Sequence, residues 1–389
     1  DAPPERSEPK EEKDDPVDEL IVDKRKPKEE DDTTKQKKFF LKHYLLDNDI
    51  WTVMSLKSVS INYSQTEGTV LPNYNGTTQI LGMSPNWDRP GFGFVAGFQE
   101  DRDEFLIRAR DNDWLVDGIF VSGDFSKTYS EQLNIRATIM PIKGLRIQLT
   151  ATKQQSENTS KFFFFDDSTD VEGNFRGYNF DSPEIISGNY SMSFLAFRTT
   201  FQQDDEKTFS NDAFVQLRAN RQEISRRLGD MNDNSRGLVQ DSLGAFYADG
   251  YGGTAQEVLL YSFLAAYSGE SASSQSIGDF TKLMPMPNWD VNYDGLSRVA
   301  FFKKYFRSVT LRHGYSSTFT IGGFTRNQFY EEDPINGQAI ARDPNQNFIV
   351  ERQLSNASIS ERFSPLINID LKWNNSLITG IELRRDRNV

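Results

Sequence analysis

The most suggestive chemical motif in the sequence is a glycine-rich run at residues 91–97, Gly-Phe-Gly-Phe-Val-Ala-Gly. Glycines at a related spacing let a backbone approach the pyrophosphate of a dinucleotide at the start of a helix. Here the spacing differs by one residue, and Glu100 and Asp101 stand where a helix should open on a phosphate. We therefore interpret the run as an aromatic–glycine strand, in which glycine admits bulky neighbours, and we expect no cofactor.

A second candidate is the oxygen-rich segment 230–241. Asp230, Asn232 and Asn234 occupy the first, third and fifth positions of a calcium-binding loop. Such a loop needs a glycine at its sixth position and a bidentate glutamate at its twelfth, where this chain has Ser235 and Asp241. We interpret the segment as a polar turn after a helix and expect no metal.

The residues of conventional catalytic sites are scarce. The sequence has two histidines, His43 and His313, and no cysteine. This leaves too few ligands for a histidine-rich or thiolate metal site and excludes a disulfide framework. Acidic pairs such as Asp166-Asp167 fall in loop-like stretches, where adjacent carboxylates point in different directions and make no general acid–base pair. We expect a protein that is not an enzyme.

Charge and hydropathy limit the class of partner. A formal net charge of −13 opposes binding to phosphate backbones, so no nucleic acid is expected as a partner. The mean hydropathy of −0.62 and the lack of any run of about 18 uncharged apolar residues argue against transmembrane helices. Strands cross a membrane with only about 10 alternating residues each, so a membrane β-barrel stays possible.

The elements that would position a functional surface are strands with a two-residue alternation. In the hairpin 131–155, aliphatic and polar residues alternate on both sides of a turn at 141–144, where a glycine can adopt a positive φ. The strand 366–374 repeats the pattern and carries Trp373, and the strand 289–293 carries Trp289, which suits aromatic residues at a membrane interface. The pattern predicts an all-β-dominated fold. A soluble sandwich would bury the apolar face, whereas a barrel would turn it to lipid.

Under the barrel interpretation, each face of the strands has a role. The apolar residues are predicted to face lipid and the polar residues a wet lumen. The lipid-facing candidates are Leu133, Ile135, Ile147, Leu149, Ile367, Ile369 and Leu371. The pore-facing candidates are Arg136, Arg146, Gln148, Asn368, Asp370 and Lys372.

Composition divides the chain into two parts. Residues 1–38 are rich in charge and proline and contain no aromatic residue, which predicts a charged, disordered linker. Residues 39–389 hold the strands, with a helical insertion predicted around 205–270. Because residues 378–384 still alternate like a strand close to the last residue, we expect the chain to be a piece of a longer protein.

Several sequence segments in residues 39–389 resemble, in collinear order, segments of the SprA/Sov family. This family is the outer-membrane translocon of the type IX secretion system. As a set they are fairly specific, and residues 1–38 contain no counterpart. The segments are Ser60–Pro72, Gly250–Leu259, Met286–Ser297, Phe301–Phe306, Val309–Tyr315 and Phe363–Asp370.

The resemblance implies that residues 39–389 are a C-terminal segment of a very large transmembrane antiparallel β-barrel with helical loop insertions. It also implies a place in the bacterial outer membrane, and a role in gliding motility and in export of folded cargo proteins across the cell surface. The implied partners are the remaining segments of the same barrel, membrane lipid, a porin-like cargo shuttle protein, a periplasmic plug protein and the secreted cargo proteins.

Two other classes of function fit the same patterns. A different outer-membrane porin or transporter barrel would share the strands but should close as one complete unit. A soluble secreted β-rich binding module would bury its apolar residues and stay monodisperse without detergent. A secreted hydrolase has the least support, because no constellation of residues carries its chemistry.

Overall fold

A computed structural model describes residues 55–87, 89–118, 121–169, 175–202 and 211–389. The predicted linker 1–38 lies outside the described residues. The described chain is dominated by β-structure, with a large antiparallel sheet, as the alternation predicts.

Eleven strands and five helices lie in the described residues. The strands are β1 (Leu56–Val70), β2 (Ser122–Ile139), β3 (Leu145–Thr169), β4 (Phe175–Asn179), β5 (Glu184–Ser193), β6 (Leu238–Gln240), β7 (Phe246–Ala248), β8 (Asn288–Tyr293), β9 (Phe306–Arg326), β10 (Arg352–Trp373) and β11 (Ile378–Asn388). The helices are α1 (Phe92–Val95), α2 (Arg102–Asp111), α3 (Asp212–Gly229), α4 (Gln256–Ser268) and α5 (Ala300–Tyr305). Short 3-10 helices span Ile80–Gly82, Phe197–Thr199, Phe280–Lys282 and Gly295–Arg298.

Nine of the strands form one antiparallel sheet that follows the chain as a meander. β1 pairs with β2, β2 with β3, β9 with β10, and β10 with β11. Between β3 and β9, β5 and β8 occupy consecutive lengths of one strand position, opposite residues 153–161 and 145–150 of β3. The segment 194–287 is therefore an insertion that splits a single strand.

Polar side chains complete the hydrogen bonding where this insertion leaves the sheet and returns. The hydroxyl of Ser193 accepts from the N–H of Thr152 at 3.0 Å and donates to the carbonyl of Met286 at 2.6 Å. The side-chain oxygen of Asn288 accepts from the N–H of Ser317 at 2.8 Å. Backbone groups that would lose their partners at the break are thereby satisfied, which allows the strand to be interrupted.

Two turns at one end of the sheet are short, and two connections at the other end are long. A third connection at the first of these ends, residues 294–305 between β8 and β9, is longer and contains a 3-10 helix and α5. At the short-turn end, residues 140–144 join β2 to β3, and residues 374–377 join β10 to β11. Gly144 in the first turn has a φ of 90°, as the predicted turn requires. At the long-loop end, the connections are 71–121 and 327–351.

Two helices of the insertion lie in the segment 205–270 that the sequence predicts to be helical. Helix α3 begins after Asn211, whose side chain accepts from the N–H of Phe214 at 2.9 Å and so caps the helix. Helix α4 ends at Gly269, which has a left-handed φ of 70°. Most side chains of α4 are buried because the helix packs against both α3 and β10.

The prediction of an aromatic–glycine strand at 91–97 is wrong. The segment contains helix α1, which Gly91 opens with a φ of 97°. A tertiary contact favours the helix over a strand, because the ring of Phe94 stacks on the ring of Phe105 in α2 with centroids 5.2 Å apart. The segment 230–241 begins with a polar turn, as interpreted: the side-chain oxygen of Asn232 accepts from the N–H of Asn234 at 2.9 Å.

Two hydrophobic cores lie toward the long-loop end of the sheet. The larger packs Tyr190 of β5 and Phe319 of β9 against Leu264 of α4. The smaller packs Phe163 of β3 against Phe105 of α2. Each core covers only part of the sheet, so helices and loops bury the long-loop end. Most apolar side chains of the sheet at the short-turn end are not buried, although Val309 of β9 is buried there.

A carboxyl group in the first turn of α4 makes the stability of the insertion depend on pH. Burial raises the pKa of Glu257 from its ordinary value of 4.5 to about 7. Between these values the folded chain holds the proton and the unfolded chain releases it. The free energy of unfolding therefore falls as pH rises from about 4.5 to about 7.

We expect Glu257→Gln to reduce this pH dependence and to raise the free energy of unfolding at pH 8 by on the order of 1 kcal/mol, after allowance for solvent screening. Thermal unfolding of both proteins between pH 5 and pH 8 measures the difference. Glu223→Gln is the matched control, because Glu223 lies on α3 with 43% of its side chain exposed. Parallel curves for wild type and Glu257→Gln would contradict the prediction.

Candidate functional site

Strand pairing separates the apolar and polar candidates onto opposite faces of the sheet. In β2 and β3, Ile135 lies opposite Ala151, whereas the next residue, Arg136, lies opposite Thr150. Side chains alternate across a strand, so these two pairs point to opposite sides. We call the side of Ile135 the apolar face and the side of Arg136 the polar face.

All seven lipid-facing candidates share the apolar face. Their neighbours extend it across the sheet: Val291 of β8 lies opposite Ile147, and Ile369 lies between Leu311 of β9 and Ile381 of β11. None of the seven is buried by the described residues, and Ile367 is 49% exposed. The apolar band, as we call this surface at the short-turn end, comprises Val59, Ile61, Leu133, Ile135, Ile147, Leu149, Val291, Leu311, Ile367, Ile369, Leu371, Ile381 and Leu383.

The apolar band is continuous from one edge strand to the other. Ile61 of β1 is 64% exposed and Ile381 of β11 is 65% exposed. Along β2 the apolar residues of this face continue past the band, from Leu133 to Ile139, over about 20 Å at the usual rise of a strand. That height approaches the roughly 25 Å of apolar surface that outer-membrane barrels present to lipid.

Aromatic rings border the band at both ends. Toward the long-loop end, Trp289 of β8 stacks on Tyr315 of β9 with ring centroids 4.4 Å apart. Toward the short-turn end, Phe306 of β9 and Trp373 of β10 also lie 4.4 Å apart. Trp289 and Trp373, the two residues that the sequence proposes for an aromatic girdle, therefore lie at opposite borders, where amphipathic rings favour a membrane–water interface.

The six pore-facing candidates share the polar face. Arg146 and Asn368 belong to one row, connected through Asn292 of β8 and Arg312 of β9. The candidate set lacks Arg312, although the alternation in 308–315 marks it as polar-facing. The neighbouring rows hold Arg136, Gln148, Asp370 and Lys372.

A buried ion pair joins the apolar face to the insertion just beyond the band. Glu361 of β10 is 1% exposed, and its carboxylate accepts from the hydroxyls of Thr200 at 2.6 Å and Tyr315 at 2.7 Å. A guanidinium nitrogen of Arg387 lies 2.9 Å from the other carboxylate oxygen. Arg387 also donates to the carbonyl of Thr199 at 2.7 Å. The pair therefore holds β10, β11 and the first turn of the insertion together.

The chain matches no family model, and no curated protein matches it. Among the described residues, no helix is long and apolar enough to cross a membrane. The same residues contain no group of three or more acidic or histidine side chains arranged to hold a metal ion.

Proposed function

We propose that the chain forms part of the wall of a bacterial outer-membrane β-barrel that conducts folded cargo proteins, the translocon of the type IX secretion system. The observation that carries the proposal is the apolar band, whose residues the described chain leaves unburied across the sheet while the polar face lies opposite. Contiguous apolar surface of this extent is unfavourable in water for a soluble monomer. A bilayer on one side and a wet lumen on the other satisfy both faces.

The topology supports the same proposal. Outer-membrane barrels join consecutive strands, with short turns on the periplasmic side and longer loops outside. By that rule, the turns 140–144 and 374–377 face the periplasm and the long connections 71–121 and 327–351 lie on the extracellular side. Within the described residues, β1 and β11 each pair with one neighbour only. The remaining segments of the same barrel would pair with these edges, because exposed strand edges need partners.

The proposal of this translocon, and not of another barrel, rests on the collinear sequence segments that resemble the SprA/Sov family. It brings with it the porin-like cargo shuttle protein, the periplasmic plug protein and the secreted cargo proteins as proposed partners. A conducting wall requires no catalytic residue: the polar face keeps a hydrated path, and the apolar face holds the strands in lipid. A porin or transporter shares these properties but would close as one unit.

A second candidate, a soluble secreted β-rich binding module, has one observation in its favour. The two hydrophobic cores cover the apolar face toward the long-loop end with the chain's own helices, as a soluble protein would. This candidate requires a further partner over the bare band. It predicts a protein that stays monodisperse without detergent.

Cysteine scanning distinguishes these candidates, because the chain contains no cysteine that would add background. In intact outer membranes, a water-soluble maleimide should label Arg136→Cys, Gln148→Cys and Asp370→Cys and spare the adjacent Ile135→Cys and Ile369→Cys. The reason is that maleimide reacts with thiolates, which form in water and not in hydrocarbon.

Denaturation in detergent provides the control for this scan, since every variant should then be labelled equally. Equal labelling of neighbouring positions in the native protein, together with solubility in buffer alone, would overturn the membrane proposal. Heat-dependent gel mobility of the same samples checks that each variant is folded.

A further inference from the structure

The polar face has two zones of different chemistry. Near the short-turn end it carries fixed charges of both signs, among them Arg146, Asp290 and Arg312. Farther along the same strands, four successive rows carry hydroxyl and amide side chains and no charge. The second of these rows runs Ser64, Gln132, Gln154, Ser191, Thr320 and Ser358.

We call these four rows the neutral wall. It comprises the polar-face residues of 62–66, 128–134, 152–158, 187–193, 318–325 and 353–360. It measures about 20 Å along the strands and about 24 Å across them, from the usual rise and spacing of strands. Part of it is a concavity of about 490 Å³ whose lining includes Thr66, Thr128, Ser130, Ser156, Asn158 and Asn189. Glu157 also contributes to the lining, but its carboxylate pairs with Arg352 on the apolar face.

The lack of charge belongs to this face and not to the strands. On the apolar face at the same height, Lys153 pairs with Glu131 at 3.2 Å and Glu157 pairs with Arg352 at 3.2 Å. Charged residues make up 26% of the chain. Composition alone would therefore place several charges among the four rows. Some of their side chains are accessible: Gln132 and Gln154 are exposed, whereas Ser193 is buried.

We infer that folded cargo proteins move along the neutral wall without being retained by charge, so that acidic and basic cargo proteins cross it equally well. The inference rests on the proposed function and deepens it, because it concerns the cargo proteins of the same channel. A conducting surface must bind weakly enough to release what enters. Hydrated hydroxyl and amide groups meet that need. A fixed charge on the wall would attract every cargo protein whose surface carries the opposite charge.

Two substitutions of one wall residue, Gln154→Lys and Gln154→Glu, test the inference. The protein in lipid membranes is presented with one small folded reporter protein in a strongly acidic and a strongly basic form. Wild type should retain both forms equally weakly. Gln154→Lys should retain the acidic form about fivefold more, and Gln154→Glu the basic form, with both preferences lost at high salt. A preference that reverses with the sign of the charge cannot arise from misfolding.

Gln148→Lys is the matched control, because Gln148 shares the polar face but lies opposite Asp290 in the charged zone. It should change retention little. Strong salt-sensitive retention of one reporter form by wild type would overturn the inference, and so would unchanged retention by both Gln154 variants. The cysteine labelling pattern is read on the same preparations. An alternating pattern with unequal wild-type retention rejects only the neutral wall, whereas loss of the alternation rejects the membrane proposal itself.

Discussion

Leu149→Arg is expected to lower the free energy of unfolding of the chain in a lipid bilayer by about 2–4 kcal/mol. Leu149 lies in β3 within the apolar band, opposite Ala137 of β2 and Trp289 of β8. In the proposed membrane wall, a guanidinium there would sit in hydrocarbon without a charged partner, which is costly even when the side chain bends toward the interface. Denaturant titration in bilayers measures the cost, and the amount of variant in the outer-membrane fraction reports its effect in cells.

The neighbouring residue provides the control. Gln148→Arg introduces the same side chain one position away on the polar face, opposite Asp290. We expect a change within about 0.5 kcal/mol, as for most surface substitutions. Arg146→Leu should likewise cost far less than Leu149→Arg. Equal damage from substitutions on the two faces would show that the faces are wrongly assigned to lipid and lumen.

The two faces of the strands could be predicted because alternation is a local property. In 131–155 and 366–374, where apolar and polar residues alternate over six or more positions, the structure has strands with those residues on opposite faces. A shift of one residue would reverse every side chain, so the pattern itself sets the register. The environment of each face depends on what covers it, and the pattern contains no information on that.

The split strand could not be predicted. Alternation in 189–198 and in 289–293 indicates two unrelated strands, and the first pattern continues beyond Ser193, where pairing ends. Only pairing with β3, distant in sequence, shows that β5 and β8 occupy one strand position. The insertion therefore emerges from within the sheet and not from its end. Local sequence cannot encode this placement, because the hydrogen bonds that define it join residues far apart in the chain.

The sequence also does not predict which part of the apolar face is covered. Tyr190 and Phe319 follow the same alternation as Ile147 and Leu149, yet they are fully buried beneath the insertion while the latter pair is only half-buried. The difference lies in the partner, helix α4, and not in the strands. The predicted lipid-facing residues all fall in the uncovered part because each lies in a strand segment close to a short turn.

The ion pair of Glu361 and Arg387 lies on the same side of the sheet as the apolar band, and the sequence alone does not predict it. We expect Glu361→Ala to lower the free energy of unfolding by about 3–5 kcal/mol, the usual cost of removing one partner from a buried ion pair. The substitution leaves Arg387 without its carboxylate. It also removes the acceptor of two buried hydroxyls, those of Thr200 and Tyr315. Thermal or denaturant unfolding measures the loss.

Three further variants separate the ion pair from the bulk of the side chain. Arg362→Ala changes the next residue, whose contact with Asp386 at 3.5 Å is exposed, and should cost less than about 1 kcal/mol. Glu361→Gln preserves an acceptor for the hydroxyls and should lose only part of the stability that Glu361→Ala loses. Glu361→Met combined with Arg387→Met removes both charges and should recover most of the loss, since apolar replacement of a buried pair is often neutral. If the double variant is as unstable as Glu361→Ala, packing and not the unpaired guanidinium determines the cost, and the insertion is held to β11 by shape alone.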